Sequence, residues 1–327
     1  MAGGTSRHLR RSPAGGAPHA SPPESARAAR GAAPRAVGVR PVRVGGGRHG
    51  RARHRGGRRT RPPRRGIRRT VSNVLIVVGV VLLLVAGGLW GFAQLRYHEA
   101  NVQNERLAAY ATVYDDASQA PQIDWEGLKA INPDVVGWLY VPGTTIDYPV
   151  YQSTDNEYYL RHSATGDWLV SGQVFMDYQN TAPGMVDQQS IIYGHHMLDG
   201  TMFEQIAAMD DQATFDGIST IWYVTEQGAC ELEPLLLYYT RADNQDVRRF
   251  GFDSPDAFHS YLQGLLGDAV TMSVDASQVI AGTDHVLSLV TCNYYRDYYL
   301  PDGTNGRTVL VCVPKAEAAA ARAASGG

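Results

Sequence analysis

An uncharged apolar run near the N-terminus limits the kinds of protein that this 327-residue chain can be. Residues 71–93 read VSNVLIVVGVVLLLVAGGLWGFA and contain no Asp, Glu, Lys or Arg. A helix needs roughly 20 apolar residues to cross the hydrocarbon of a bilayer. A cleaved signal peptide has a short basic lead, whereas 70 residues precede this run. We therefore expect residues 71–95 to form an uncleaved transmembrane anchor.

The basic residues predict which side of the membrane each part of the chain occupies. Residues 1–70 hold 19 of the 30 Lys and Arg residues and a single acid, Glu24, so the positive-inside rule places the N-terminus in the cytoplasm. Residues 71–327 hold 31 acids and 11 Lys and Arg, a formal net charge of −20. We expect a single-pass protein of the cell membrane whose larger part is extracellular. Its acidic exterior argues against a nucleic-acid partner.

Residues 1–70 permit three interpretations. Their Arg, Gly, Ala and Pro content cannot bury enough apolar surface to fold, which favours a disordered cytoplasmic tail that is solvated or touches anionic lipid. Arg-rich arms also bind phosphate backbones, so a nucleic-acid-binding arm is the second interpretation. The third is that translation begins further downstream.

Beyond the anchor, the sequence pattern changes twice. Residues 96–130 carry apolar positions at three- and four-residue spacing, in NERLAAYATVYDDASQ and IDWEGLKAI, which predicts a helical stalk and N-terminal helices. Residues 131–315 consist mainly of short β-rich runs separated by Gly, Pro, Asp and Asn, namely GWLYVP, IDYPVYQ, GQVFMDY, QSIIYGHH, STIWYVT, CELEPLLLYY, HVLSLVTC and RTVLVCV. This pattern is typical of a closed or nearly closed β domain.

One segment inside the β region has helical periodicity. SPDAFHSYLQGLLG begins with Ser254 as a candidate N-cap and places Pro255 in the first turn. Its apolar face would consist of Phe258, Leu262, Leu265 and Leu266. We predict a helix over residues 254–266 that packs on the β domain between two strands. The low-complexity residues 316–327 are expected to be a flexible tail.

The three cysteines differ in their surroundings. Outside the cell structural cysteines are normally paired, and an odd number leaves one thiol over or pairs it between chains. Cys230 and Cys312 lie within strand-like runs and are interpreted as core residues. No Cys or His spacing resembles a zinc site, so neither a metal nor a cofactor is expected. Cys292 differs because it lies at a strand end, after the apolar residues LSLVT.

The next strand places a cation beside Cys292. If residues 286–292 and 307–313 are antiparallel neighbours, the last residue of the first strand lies opposite the first residue of the second, Arg307. The connection NYYRDYYLPDGTNG is longer than a usual hairpin loop, which suggests a functional loop. The alternative interpretation of Arg307 is a solvated charge at a strand end.

A cysteine nucleophile also needs a proton partner, because the thiolate is the reactive form. The run IIYGHHM offers His195 and His196 at the end of a predicted strand. Adjacent strand residues point to opposite faces, so only one of the two histidines can face a given site. Either histidine taken alone is an ordinary surface or packing residue. The hypothesis of a site rests on Cys, His and Arg together, each at a strand end.

These segments resemble the sortases, cysteine transpeptidases of Gram-positive cell surfaces, and their class B in particular. The similarity covers roughly residues 100–315. INPDVVGWLYVPGTTIDYPVYQSTDNEYYLRH resembles the opening segment of the class B domain, and IIYGHHM resembles the strand with the catalytic histidine. SLVTC is similar to the family's T-L-x-T-C motif, and GRTVLVCV is similar to the strand that opens with the catalytic arginine.

The resemblance implies a fold and a set of roles. The fold is a closed eight-stranded β-barrel with N-terminal helices, a helix inserted before the cysteine strand and one preceding transmembrane helix. Cys292 would be the nucleophile, His195 the acid/base and Arg307 the oxyanion-stabilising group, while His196 would point away. The substrate-binding residues would be Asn156, Leu160 and Thr291.

The resemblance also implies partners, and two positions depart from the pattern. Surface proteins with a C-terminal sorting signal of roughly the form Asn-Pro-x-Thr would be cleaved after the threonine and transferred to an amine of peptidoglycan. Val290 stands where the family usually has a small hydroxyl residue, so a hydrogen bond to the sorting signal is in question there. Asn293 stands where class B often has an acid.

Three alternatives remain open at this point. L,D-transpeptidases also use Cys, His and Arg outside the cell, but their His-Gly and Gly-Cys signatures are absent around Cys292. A non-enzymatic membrane-anchored adhesion module would make the three residues incidental. A pilin-polymerising sortase usually carries an Asp-Pro-aromatic lid, which ASQAPQIDW lacks, so anchoring of proteins to the wall is favoured.

Overall fold

The computed structural model describes residues 65–114 and 116–325, with side chains from residue 69 onward. Its strands are β1 Ala111–Thr112, β2 Gln122–Ile123, β3 Val135–Tyr140, β4 Asp147–Tyr151, β5 Val174–Met176, β6 Gln189–Tyr193, β7 Ile221–Thr225, β8 Gly228–Thr240, β9 Ala269–Met272, β10 Val286–Asn293 and β11 Gly306–Pro314. All eight predicted β-rich runs contain a strand.

The α-helices of the described residues are α1 Arg65–Ala108, α2 Trp125–Ile131, α3 Glu204–Ala207, α4 Gln212–Gly217, α5 Pro255–Leu265, α6 Ala276–Ile280 and α7 Lys315–Ser325. Short 3-10 turns cover Tyr158–Leu160, Ala208–Asp210, Gln245–Arg248 and Arg296–Tyr298. Only α1 is long and apolar enough to cross a membrane, judged by length and composition within the part of the chain that the structure describes.

Eight strands close into a barrel. Their order is β11–β10–β6–β5–β4–β3–β7–β8, and β8 pairs in turn with β11, which closes the sheet. The short strand β9 adds to the C-terminal half of β8 outside the barrel circuit. Closure leaves the eight barrel strands without a free edge along their paired lengths. The prediction of a mainly β, eight-stranded closed barrel is confirmed.

The alternation of side chains along each strand divides the core into two layers. On β10, Leu287 and Leu289 point into the barrel and join one buried apolar cluster. Val286 and Val290 point outward and belong to a second cluster, which α5, α6 and α7 cover. The helical residues of that second cluster include Phe258, Leu262, Ala276, Val279, Ile280 and Ala318. Cys292 follows Val290 by two residues on the same strand, so its side chain also lies on the outer face of the barrel.

The helix before the cysteine strand has the predicted boundaries to within a residue. The Ser254 hydroxyl accepts a hydrogen bond from the Ala257 amide at 3.1 Å, and Pro255 occupies the first turn. Phe258 and Leu262 are fully buried against the barrel. The capping side chain and the apolar face together explain why this segment becomes a helix in a chain dominated by strands.

The two ends of the described chain differ from expectation. Helix α1 continues without a break through the predicted anchor to Ala108, and the short hairpin β1–β2 separates it from α2. The expectation of a flexible tail over residues 316–327 is wrong for residues 316–325, which belong to α7. Ala318 is fully buried, and Arg322 contacts Asp275 and Glu233, so tertiary contacts hold this Ala-rich segment. Most of the predicted tail 1–70 lies outside the described residues.

Candidate active site

Cys292 and Arg307 are brought together by strand register. They are directly opposed residues of β10 and β11, as the sequence predicted. The Arg307 Nη1 atom lies 3.8 Å from the Cys292 Sγ atom. The same nitrogen donates hydrogen bonds to the carbonyls of Asn305 at 2.7 Å and Gly306 at 3.0 Å. These carbonyl contacts fix the guanidinium beside the sulfur.

His195 reaches the same outer face from β6. The Gly194 amide donates to the Val290 carbonyl at 3.1 Å, which extends the pairing of β6 with β10 beyond Tyr193. A Cβ atom at Gly194 would lie 2.5 Å from the Phe203 ring, so only glycine fits there. The His195 Nε2 atom lies 2.8 Å from the Leu160 carbonyl oxygen. A carbonyl can only accept, so Nε2 carries a proton and Nδ1 is the nitrogen free for exchange.

The surroundings of His195 favour its neutral form. Burial of the imidazole lowers its pKa below the ordinary value, and the nearby charges of Arg161 and Arg307 act in the same direction. The hydrogen bond to the Leu160 carbonyl opposes this effect without reversing it. At neutral pH the imidazole is therefore uncharged and able to accept a proton.

His196 has a different position. Its Nδ1 atom lies 3.0 Å from the Cys292 carbonyl oxygen, and its ring meets the Tyr294 ring edge-on at 4.9 Å. The Tyr294 hydroxyl donates to the His196 carbonyl at 3.2 Å. His196 does not line the cavity that Cys292 faces. It instead joins the end of β10 to the loop after β6.

A cavity of about 280 Å³ connects these groups on the outer face of the barrel. Its walls are formed by Asn156, Leu160, Phe175, Tyr193, Gly194, His195, Ala242, Val290, Thr291, Cys292 and Arg307. Cys292, His195 and Arg307 thus share one open cavity with apolar and polar walls.

The predicted substrate-binding residues lie at this cavity in different ways. Asn156 and Leu160 form part of its wall, and the Leu160 side chain is half-exposed. Thr291 contributes through its main chain, because strand alternation turns its side chain toward the barrel interior. Its hydroxyl is buried there without a hydrogen-bond partner, next to the equally unpartnered hydroxyl of Thr308. A direct contact between the Thr291 side chain and a ligand in the cavity is thus not available.

A buried carboxylate that the sequence did not predict lies behind the cavity wall. Asp177 is fully buried and accepts hydrogen bonds from the Asn156 side-chain Nδ2 atom at 2.9 Å and the Tyr193 hydroxyl at 2.8 Å. Arg248 donates to both carboxylate oxygens, at 2.8 and 3.0 Å. Burial alone would raise the pKa of Asp177, but Arg248 and the other donors outweigh it and lower the pKa. Asp177 therefore remains ionised and anchors two cavity-lining side chains.

No local sequence signal pointed to Asp177 or Arg248, because 71 positions separate them in the chain. Only the closure of the barrel brings the end of β5 next to the 3-10 turn that follows β8. A lone DY dipeptide after a β-rich run is indistinguishable from a turn signal. Such pairs become visible only in the folded chain.

Both departures from the family pattern have a structural account. Val290 is buried and its apolar side chain forms part of the cavity wall. The Asn293 side-chain Nδ2 atom donates to the Arg307 carbonyl at 3.0 Å, so this side chain joins the ends of β10 and β11. A Cβ atom at Gly306 would lie 2.7 Å from the Asn293 Oδ1 atom. Asn293 therefore supports the strand ends that carry Cys292 and Arg307.

The tyrosine-rich loop after Cys292 is ordered by packing. The hydroxyls of Tyr239 and Tyr295 both donate to Asp210, at 2.6 and 2.8 Å. The Tyr239 ring also packs against the rings of Tyr295 and Tyr298. This cluster accounts for Tyr295 and Tyr298 of the loop as packing residues.

The other two cysteines have inert surroundings. All three cysteines are free thiols. Cys312 lies in the barrel interior, where burial raises its pKa well above the usual range. Burial, with a smaller effect from Glu317, raises the pKa of Cys230 to about 11. Within residues 65–114 and 116–325, no group of three His, Cys, Asp or Glu side chains is arranged to hold a metal ion.

The chain is similar in sequence and in fold to known sortase B proteins. Sortase B of Listeria monocytogenes is 31% identical over 232 residues, which are 69% of this chain and 91% of the relative. Sortase B from B. anthracis, solved in complex with AAEK1, superimposes with a TM-score of 0.55 at 25% identity, covering 67% of this chain and 98% of that chain. A sortase B solved in complex with Gly3 gives a TM-score of 0.50 at 26% identity, covering 58% of this chain and 84% of the other.

No family model matches the chain. The relative from Listeria nevertheless aligns over nearly its whole length, and the eight-stranded barrel is shared with the solved sortases. Cys292, His195 and Arg307 surround one cavity of this chain. The chain belongs to the sortase family, class B, whose members are cysteine transpeptidases.

Proposed function

We propose that this sortase cleaves a C-terminal sorting signal through a thioester on Cys292 and transfers the protein to an amine of peptidoglycan. The observation that carries the proposal is the shared cavity of Cys292, Arg307 and His195. A nucleophile, a fixed cation and a proton carrier are the three groups that acyl transfer needs.

In the first half-reaction, the Cys292 thiolate attacks the carbonyl carbon of the scissile peptide bond. The resulting oxyanion accepts hydrogen bonds from Arg307, whose guanidinium has five N–H groups and is held by the Asn305 and Gly306 carbonyls. When the tetrahedral intermediate collapses, the C–N bond breaks and the departing amine takes a proton from the His195 imidazolium. The products are a thioester on Cys292 and a free amine.

In the second half-reaction, an acceptor amine attacks the thioester carbonyl. Neutral His195 accepts a proton from the attacking nitrogen at Nδ1, while Nε2 remains hydrogen-bonded to the Leu160 carbonyl. Arg307 again stabilises the oxyanion, and the C–S bond then breaks to release the Cys292 thiolate. The enzyme returns to its starting protonation state, so no cofactor is required by this scheme.

Protonation limits the rate of this chemistry. The first step needs a thiolate together with an imidazolium, yet a free imidazole titrates near pH 6.5 and a free thiol near pH 8.5. Because the pKa of His195 is lowered further, the reactive ion pair is a minor form of the resting enzyme. We expect modest turnover for this reason.

The topology of the chain is part of the same proposal. Residues 1–70 would form a cytoplasmic tail, and residues 71–95 within α1 would cross the cell membrane. Residues 96–130 would link the anchor to an extracellular catalytic barrel of residues 131–315. The excess of Arg before the apolar run supports this orientation.

The substrates follow from class B membership together with the cavity. We infer a Pro-x-Thr core in the sorting signal, preceded by Asn and followed by Asn, Gly or Ser, with cleavage after the threonine. The apolar side chain of Val290 removes one hydrogen-bonding group from the wall, so selectivity for the residues next to the threonine should be relaxed. The solved sortase B that contains Gly3 makes a glycine amine one reasonable acceptor, beside a stem-peptide amine.

Two alternative functions, pilin polymerisation and non-enzymatic adhesion, differ from this proposal in the product that they would form. A pilin-polymerising sortase would join its substrate to a lysine of another pilin. The segment 117–125, where a lid would be sought, provides none of the residues that line the cavity, which supports anchoring of proteins to the wall. A non-enzymatic adhesion module would form no thioester at all.

A competition assay tests the proposed substrates. Full-length protein would be incubated with an Asn-Pro-x-Thr-Asn peptide, a Leu-Pro-x-Thr-Gly peptide and a scrambled peptide, each with triglycine or a stem peptide as the amine. We expect the joined product to form with a Pro-x-Thr peptide at least about tenfold faster than with the scrambled one, since a site built for specific contacts rejects substrates that lack them. Equal rates for all three peptides would defeat the assignment.

A further inference from the structure

The exposed and the packed parts of α1 meet at Arg96. None of residues 69–95 is buried, and the last apolar residue, Leu95, exposes 68% of its surface. Beyond Arg96, the helix packs on the barrel domain through the buried side chains of Ala100, Asn104 and Leu107. The catalytic domain therefore starts to touch α1 within one or two turns of the end of the apolar run.

A half-exposed tryptophan of the catalytic domain lies at this boundary. The guanidinium of Arg96 lies 4.0 Å from the centroid of the Trp168 ring and 5.6 Å from that of Phe92. Trp168 nevertheless exposes 52% of its surface. Its loop is fixed by main-chain contacts: the Leu169 amide donates to the Arg161 carbonyl at 2.7 Å. An apolar ring is thus held in a defined place next to the apolar helix surface.

We propose that Trp168, Arg96 and Phe92 form a lipid-contact surface that seats the catalytic domain on the outer interface of the membrane crossed by α1. The proposal rests on the membrane span in the proposed function. The partner of this surface is the lipid layer itself, because the surface is continuous with the exposed apolar face of the span.

The length of the span places this surface at the correct depth. Residues 71–95 in helical form extend about 37 Å, slightly more than the roughly 30 Å of hydrocarbon in a bilayer. Arg96 then lies at the level of the headgroups, where tryptophan rings are favoured. A guanidinium stacked on an indole retains its in-plane N–H groups for lipid phosphate. The chemistry of the three side chains therefore matches a headgroup boundary.

The surface is also connected to the cavity wall. The segment that leads to Trp168 begins at Leu160, which lines the cavity and whose carbonyl accepts from His195. The Arg161 guanidinium donates to the Val170 carbonyl at 3.1 Å, which holds the two ends of the loop together. Seating Trp168 in the interface would fix the height of the cavity above the lipid. That fixed height should increase the rate of acylation most for peptides tethered to the same bilayer.

Tryptophan quenching in nanodiscs tests this proposal on the full chain. The protein has five tryptophans, and a Trp90→Phe background removes the one inside the span. Lipids brominated near the headgroup should quench this background, and the quenching should largely disappear in Trp90→Phe/Trp168→Phe. The matched control is Trp90→Phe/Trp125→Phe, which removes a half-buried tryptophan of α2 and should retain the quenching.

The outcomes separate this proposal from the proposed function. Equal quenching in the Trp168→Phe and Trp125→Phe variants, or none in the background, would overturn the lipid-contact surface. Acylation of Cys292 by a soluble peptide is measured on the same samples and reports only on the enzyme activity. We expect Trp168→Glu to slow acylation by a lipid-tethered peptide about tenfold, with the soluble peptide changed by less than about twofold. An equal effect on both peptides would also contradict the proposal.

Discussion

At the scale of single residues, the electrostatic link between His195 and Arg307 can be measured. Burial lowers the pKa of His195 first, and the charges of Arg161 and Arg307 lower it further. We predict that Arg307→Gln raises the pKa of His195 toward the ordinary value of about 6.5. NMR titration of the imidazole checks this, with Arg241→Gln as the control because Arg241 pairs with Asp243 on the surface. A pKa that is unchanged or lower in Arg307→Gln would contradict the account.

Asp177 provides a second prediction at this scale. Its carboxylate orients Asn156 and Tyr193 in the cavity wall but does not itself line the cavity, so it is a positioning residue. We expect Asp177→Asn to raise KM for the sorting peptide about tenfold and to change kcat much less, because ground-state contacts are lost. Asp243→Asn, in the exposed pair with Arg241, is the matched control. A loss confined to kcat would argue against a positioning role.

At the scale of elements, the strands could be predicted from the sequence, whereas the tertiary contacts that hold other parts of the fold in place could not. The eight β-rich runs and the Ser254-capped helix have strong local signals, and the opposition of Cys292 and Arg307 followed from antiparallel pairing alone. The tail helix α7 was missed because its Ala-rich sequence has high helix propensity but no amphipathic pattern of large apolar residues. Its stability depends on Arg322, which contacts Asp275 and Glu233 from other elements. The contacts of Asp177 likewise required the closed barrel, whereas the inward orientation of Thr291 follows from strand alternation next to Cys292.

The attachment of α7 gives a pH-dependent prediction. Hydrogen bonds from Arg322 and Ser273 lower the pKa of Asp275 to about 2. A depressed carboxyl pKa contributes stability above the unfolded value near 3.9, and this contribution is lost as the pH falls toward 2. Arg322→Gln should therefore lower the stability at pH 7 by about 1 kcal/mol, as expected for a half-exposed pair. The difference from wild type should shrink below pH 4, as measured by denaturant unfolding. A difference that grows with acid would contradict the assignment.

At the scale of the whole molecule, the barrel connects three separate parts of the chain. The pairings of β10 with β11 and with β6 set the strand ends that carry Cys292, Arg307 and His195 on one outer face, and the pairing of β8 with β11 closes the barrel. The helices α5, α6 and α7 cover the neighbouring outer face and leave the cavity open.

In the proposed orientation, the outer surface of the membrane lies beside that cavity. A reporter after residue 60 should remain cytoplasmic, and one after residue 327 should be external; external detection of the first would contradict the orientation.

The central claim is that Cys292 carries the acyl group with help from His195 and Arg307. Intact-protein mass spectrometry of the acyl-enzyme, formed with a Pro-x-Thr peptide and no added amine, tests it most directly. We predict a single adduct on wild type, none on Cys292→Ala, and acylation slowed about 10²–10³-fold in Arg307→Lys, which lacks the planar fork. His195→Ala should be severely impaired, whereas His196→Ala should acylate at a rate closer to wild type. An adduct that persists on Cys292→Ala, or a greater loss in His196→Ala than in His195→Ala, would contradict the account.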